Sequence, residues 1–144
     1  MEKRTYTAQK RSDYKAPNFT ATTIDLTFDL DDEQTRVKCV AHYKRLTKDT
    51  KEPLVLDGEE LKLVSVKLDG VEFKAKETKT GLEIANVPNE FDLEVNNIIN
   101  PTANTTLMGL YKSDGAFCTQ CEPQGFRRIT YFLDRSDVLA KYRV

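Results

Sequence analysis

The feature that most constrains this chain is a strict period-two alternation. Ile24, Leu26, Phe28 and Leu30 are apolar, and Asp25, Thr27 and Asp29 stand between them. A helix places apolar residues every three or four positions, so this pattern makes a strand with one buried and one wet face. Val37, Cys39, Ala41 and Tyr43 repeat it, with Arg36, Lys38, His42 and Lys44 mostly opposite. Asp31-Asp32-Glu33-Gln34 between the two runs is a turn. Pro53 opens Leu54-Val55-Leu56, and Asp57-Gly58 closes it. Leu61, Leu63, Val66 and Leu68 form a strand whose phase slips near Val64, as at a bulge. Asp69-Gly70 predicts a tight hairpin, because a primed turn needs the positive φ that glycine tolerates; Val71 to Ala75 is its return strand. Leu82 and Ile84, then Phe91, Leu93 and Val95, give two further strands, separated by Asn86 to Asn89 with Pro88.

Many short strands with frequent turns and little helical periodicity predict a mainly β, little-helix fold, a sandwich or related layered sheet. From Asn96 to Asp114 the pattern loosens. Gly115 to Cys121 is extended again, Ile129 to Leu139 suggests a short helical turn, and Ala140 to Val144 looks like a strand beginning. Residues 1–20 read as a loose N-terminal arm entering the fold near Tyr14 and Phe19, and 21–144 as one β domain. A strand starting so close to the last residue also suggests a piece of a longer protein. At 144 residues and 39% hydrophobic content there is enough apolar material for one core.

Several functions are disfavoured early. A net charge of −1 gives no electrostatic footprint for nucleic acid or an anionic membrane. The polar, basic start MEKRTYTAQKRSDYKAP is no secretory signal, and no run is apolar enough for a spanning helix. Cytosol is the expectation, so Asn18-Phe-Thr20 and Asn104-Thr-Thr106 mean little as glycosylation acceptors. There is one histidine, so H-E-x-x-H cannot be built from this chain. A Ser-His-Asp or Cys-His site would have to use His42.

Asp29-Leu-Asp31-Asp32-Glu33 invites a calcium-loop reading, but Gln34 and Val40 occupy the places needing Gly and Glu. Cys118-Thr-Gln-Cys121 is a C-x-x-C without a following helix, and only Cys39 and His42 remain as further soft ligands. In an extended segment Cys118 and Cys121 face opposite ways, which predicts reduced, partly buried thiols. The same alternation puts Cys118, Gln120 and Glu122 on one face. A carboxylate and an amide oxygen two residues apart can receive one ammonium group, or can simply be a solvated polar pair. Arg127, Arg128, Asp134, Arg135, Asp137 and Lys141 interleave with Phe126, Ile129, Tyr131, Phe132 and Leu139, reading as a salt-linked face over core aromatics.

The segment Cys118-Thr-Gln-Cys-Glu122 followed by Gly125-Phe-Arg-Arg-Ile-Thr-Tyr-Phe-Leu-Asp-Arg-Ser-Asp-Val-Leu-Ala140 resembles the end of the N-terminal domain of the bacterial aminopeptidase N family, gluzincin-type zinc metalloaminopeptidases. The resemblance extends to Asp13-Tyr-Lys-Ala-Pro17, Ile24 to Leu30 and Leu54 to Val66, hence to most of the chain. It implies a saddle-like β domain with antiparallel and mixed sheets that covers a catalytic domain in cis. Zinc, its ligands and the general base would belong to that next domain, leaving no catalytic or metal-ligating residue here and no activity in this piece alone. The substrate would be a peptide N-terminus, with Glu122 binding its α-ammonium and Gln120 lining the pocket for its first side chain. One departure is Ser136, where many relatives carry proline. Two other classes remain open from the residues alone. A carbohydrate-binding or interaction module would want an exposed aromatic platform, and there is no Trp. A redox or zinc protein would use Cys118 and Cys121.

Overall fold

The computed structural model describes residues 10–47 and 51–144; the first nine residues of the expected arm lie outside them. Strands β1 (Phe19–Asp29) and β2 (Thr35–Arg45) form a long antiparallel pair. Asp31 Oδ1 accepts the N–H groups of Glu33 and Gln34 and shapes the turn between them. The register shifts between Ala21 and Thr23. That extra residue keeps Phe19 and Ala21 on the core face together with Ile24 and Leu26. Leu30 falls just outside β1 and is exposed.

Next come β3 (Leu54–Asp57), β4 (Lys62–Leu68), β5 (Val71–Glu72), β6 (Lys76–Thr78), β7 (Gly81–Ile84) and β8 (Glu90–Ile99). The ribbon β9 (Gly109–Ser113) and β10 (Ala116–Gln120) follows, and β11 (Lys141–Arg143) ends the described elements. One six-stranded sheet runs β11-β1-β2-β8-β4-β5, a three-stranded sheet runs β3-β7-β6, and β9 and β10 pair alone. β11 lies parallel to β1 while the other pairings are antiparallel, so the large sheet is mixed. The mainly β, sandwich-type fold expected from the alternation is the observed one.

Local signals land where the residues put them. Asp69 and Gly70 have φ of 48° and 80° and join β4 to β5 through a two-residue turn. The slip near Val64 is a register shift between Leu63 and Ser65. Other expectations are corrected. The return strand stops at Glu72 instead of reaching Ala75. β8 runs on through Asn96 and Asn97 to Ile99, although two asparagines depress strand propensity. Each has a partner: Asn96 bonds to Ser65 and Glu94 on the wet face, and Asn97 donates to the Ile129 carbonyl at 2.9 Å inside the core. The helical turn is at Phe126–Arg128, not within 129–139. Ile129 is still in a helical conformation and Thr130 donates back to Phe126, but beyond them Phe132 exchanges both main-chain hydrogen bonds with Asp57 on β3. The Asp114-Gly115 pair, with φ of 49° and 80°, turns β9 into β10 just as Asp69-Gly70 turns its own hairpin.

The core lies between the sheets. Ile24, Val37, Cys39, Tyr43, Leu93 and Val95 of the large sheet share one buried cluster with Leu54, Leu56, Leu82 and Ile84 of the small one. Ile129, Tyr131, Phe132 and Leu133 belong to the same cluster. The segment after β10 is therefore rooted in the centre of the molecule, and it carries its polar residues to the surface.

Candidate functional site

Gln120 is the last residue of β10, paired with Gly109. The strand ends there, and Glu122 to Gly125 form a turn that leads into the 3₁₀ turn at Phe126–Arg128. Cys118 and Gln120 keep the expected common face of a strand, but Glu122 leaves it. What joins the pair is a hydrogen bond: Gln120 Nε2 donates to the Glu122 carbonyl at 2.7 Å. Both side chains are exposed.

Glu122 stands at an open cleft of about 890 Å³ whose walls include Tyr14 from the arm, Cys121, and Arg135 to Asp137. Gln120 is not among its walls. A second cleft of about 650 Å³ shares Gln124, Asp134 and Arg135 with the first, so those residues form the ridge between two adjoining hollows. Part of the first cleft's wall is built by a fork. Arg135 donates through Nε and Nη2 to the two Asp137 oxygens at 2.8 and 2.7 Å, and through Nη2 to the Lys15 carbonyl at 2.8 Å. The Tyr14 hydroxyl donates to Asp137 at 3.1 Å. Chiefly by these Arg135 bonds, the Asp137 carboxyl is held down to about 2. The same hydrogen bond to Asp137 pushes the Tyr14 phenol above its ordinary value.

Arg127 lines the second cleft. Its Nε meets Asp134 Oδ2 at 2.9 Å, its Nη2 donates to the Asp134 carbonyl at 3.2 Å, and its Nη1 lies 3.4 Å from Asp57. Asp57 is raised from its ordinary carboxyl value despite that cation, because half-burial costs its charge more than Arg127 returns. Arg128 grips Glu59 and Glu60 at 2.5 and 2.7 Å. The charges that line the first cleft are thus already paired, with one exception. Among the described residues Glu122 takes part in no ion pair, whereas Asp134 and Asp137 each have an arginine.

The remaining candidates are elsewhere or inert. His42 sits on the outer face of the large sheet, its Nδ1 2.7 Å from Asp92 and its Nε2 3.0 Å from Glu90. The carboxylates bracket the ring rather than converge on one point, and hydrogen bonds to them raise its pKa. Cys39 is buried, which pushes its thiol to about 12; Cys121, half-buried, is raised by the same cause. All three cysteines are free. Among the described residues no three His, Cys, Asp or Glu side chains gather as a metal ligand set, and no helix is long and apolar enough to cross a membrane.

A family model described as the Peptidase M1 N-terminal domain matches residues 11–144. The chain belongs to that family. Aminopeptidase N of Escherichia coli strain K12 is 51% identical over 136 residues, an alignment covering 94% of this chain and 16% of that protein. The crystal structure of Legionella pneumophila aminopeptidase A in complex with aspartic acid matches with TM-score 0.86 and 33% identity, over 93% of this chain and 16% of that one. The M1 zinc metallopeptidase from Deinococcus radiodurans shares the fold, with TM-score 0.72 and 16% identity over 88% of this chain and 32% of its own. This M1 N-terminal domain therefore spans about a sixth of the aminopeptidase N relative that it matches. The zinc named for the Deinococcus protein finds no ligand set among the described residues.

Within the domain, reading the sequence picks out Gln120 and Glu122 but misses what fixes them. Tyr14 and the Arg135–Asp137 fork line the same cleft, and Gly125 ends the turn. The available signals were the glycine before Phe126 and the i, i+2 spacing of Arg135 and Asp137, both of which read as ordinary surface chemistry in one dimension.

Proposed function

We propose that this chain is the N-terminal domain of a cytoplasmic, bacterial zinc-dependent aminopeptidase that removes N-terminal amino acids from peptides. Its part is to cover the catalytic domain, in cis, and to supply contacts to the substrate's free amine and first side chain. Zinc and the reacting groups belong to that other domain. The observation that carries the reading is the state of Glu122: an exposed carboxylate at the edge of a cleft whose other charges are already paired.

An unpaired carboxylate beside a hollow is a natural seat for a cation. A peptide's α-ammonium brings one positive charge and three N–H donors, and an internal peptide bond brings none. Burying Glu122 against a second domain without that cation would leave its charge uncompensated, which disfavours any substrate lacking a free N-terminus. Fixing the amine also fixes the distance to the first peptide bond, which gives removal of single residues. Gln120 has given one amide N–H to the Glu122 carbonyl, so its oxygen and its second N–H are what it offers to a substrate.

In the full-length enzyme, Glu122→Gln keeps the shape and removes the charge. Loss of one charge-assisted bond of about 1.5–3 kcal/mol raises KM for aminoacyl substrates by roughly 10- to 100-fold. Steady-state kinetics with an aminoacyl anilide reads this directly, and unchanged kinetics would refute the role given to Glu122.

A further inference from the structure

Gly125 donates its N–H to the Cys121 carbonyl at 2.8 Å and so closes the turn that carries Glu122. Its φ and ψ are −93° and −18°, values open to any L-residue, so backbone freedom is not why a glycine stands there. Space is. A Cβ on Gly125 would lie 2.9 Å from the Cys121 Cα, 3.1 Å from the Met108 Cε and closer still to the Gln120 carbonyl oxygen. The methionine end can swing away, but the two main-chain atoms move only if the turn moves.

The other side of the turn is equally tight. Gly109, opposite Gln120 at the end of the β9–β10 ribbon, has φ of 75°. A Cβ there would come within 2.7 Å of the Arg128 Cβ and 3.2 Å of the Gly125 carbonyl oxygen. The two glycines let main chain rest on main chain next to Glu122. Gln120 adds a third tie through its amide to the Glu122 carbonyl.

We infer that Gly125 is a positioning residue for Glu122: the lack of a side chain lets the turn fold flat against the end of β10 and sets where the carboxylate stands. The inference rests on the α-ammonium reading above. A methyl group at 125 pushes the turn outward, and a charge-assisted hydrogen bond loses much of its strength over a displacement on the order of 1 Å. Because Glu122 holds the amine before and during reaction, the effect falls on KM more than on kcat.

The test is steady-state kinetics of the full-length enzyme with an aminoacyl anilide. Gly125→Ala raises KM about tenfold and changes kcat by less than about threefold. Glu122→Gln combined with Gly125→Ala is no worse than Glu122→Gln alone, because the displaced group is already missing; a purely structural defect would multiply instead. If Glu122→Gln raises KM and Gly125→Ala does not, or if the two effects multiply, the positioning role is wrong and the ammonium site stands. If Glu122→Gln itself leaves KM unchanged, the ammonium reading fails first. Should Gly125→Ala not fold, Gly109→Ala presses on the Gly125 carbonyl from the other side of the turn without adding bulk at 125. It raises KM about threefold in the parent and not at all on the Glu122→Gln background; a rise on both backgrounds, or on neither, overturns the inference.

Discussion

The large sheet and the stretch from Gln120 to Arg135 hold the chain in place by opposite means. In β1, β2 and β8 alternate side chains enter a shared apolar core, and strands β1, β2, β8 and β4 register along their lengths. Between Gln120 and Arg135 there is little regular pairing. Position is set there by main chain packed on glycine, by arginine on carboxylates and carbonyls, and by one buried amide. The sheet draws its stability from area removed from water, which is large and tolerant of small shifts. The irregular stretch is rooted in that core through Ile129, Tyr131, Phe132 and Leu133, but its turn from Gln120 to Gly125 buries little side-chain area and fixes individual atoms closely. Changes in the sheet should therefore cost stability, and changes in the turn should cost geometry.

The strongest way to break that contrast is in the middle of β8. Leu93 is 1% exposed, and Leu93→Ala lowers the unfolding free energy by about 2–5 kcal/mol in urea melts. A loss below 1 kcal/mol would mean the core does not carry the sheet. Asn97 joins the two regions. Asn97→Ala strands the Ile129 carbonyl in the core and costs about 1–3 kcal/mol by the same measurement. Arg143→Ala removes an exposed partner of Asp25 and changes stability by less than about 0.5 kcal/mol.

The outer-face histidine gives a smaller effect that depends on pH. Contacts with Glu90 and Asp92 raise the His42 pKa above its ordinary 6.5. Its contribution is therefore complete below 6.5 and fades as pH climbs through the raised value. Glu90 is lowered from 4.5 by the same contact, so its share is complete above 4.5 and fades as pH falls through the lowered value. The pair thus helps most between about pH 4.5 and 6.5. Thermal melts of His42→Gln against the parent should show their largest difference in that interval and converge above it; a gap that widens towards pH 9 would reverse the assignment.

How much could be read from the residues follows the same division. Alternation located β1, β2 and β8, because a half-buried strand writes its buried face into the sequence at period two. It also exposed the slip near Val64. Asn96 and Asn97 obscured the end of β8, since hydrogen bonds to Ser65 and Ile129 come from residues distant in the chain. Asp114-Gly115 carried the same turn chemistry as Asp69-Gly70 but stood among polar residues that hid the flanking strands. Gln120 and Glu122 stood out as near neighbours, but the shared face that alternation predicts is lost because β10 ends at Gln120. Their mutual bond, the Tyr14 wall and the need for room at Gly125 were not legible, because each depends on atoms brought near only by the finished fold.

The Asn97–Ile129 bond also sets a timescale. It bolts the root of the irregular stretch to a central strand, so the main-chain N–H of Thr130 that points back to Phe126 should exchange with solvent only when the sheet itself opens. The turn at 122–124 has no such anchor and is exposed throughout. A hydrogen-exchange experiment would then find a fast surface and a slow foundation within ten residues. The turn that carries Glu122 would open often at its surface and close again onto a support that keeps the lifetime of the core.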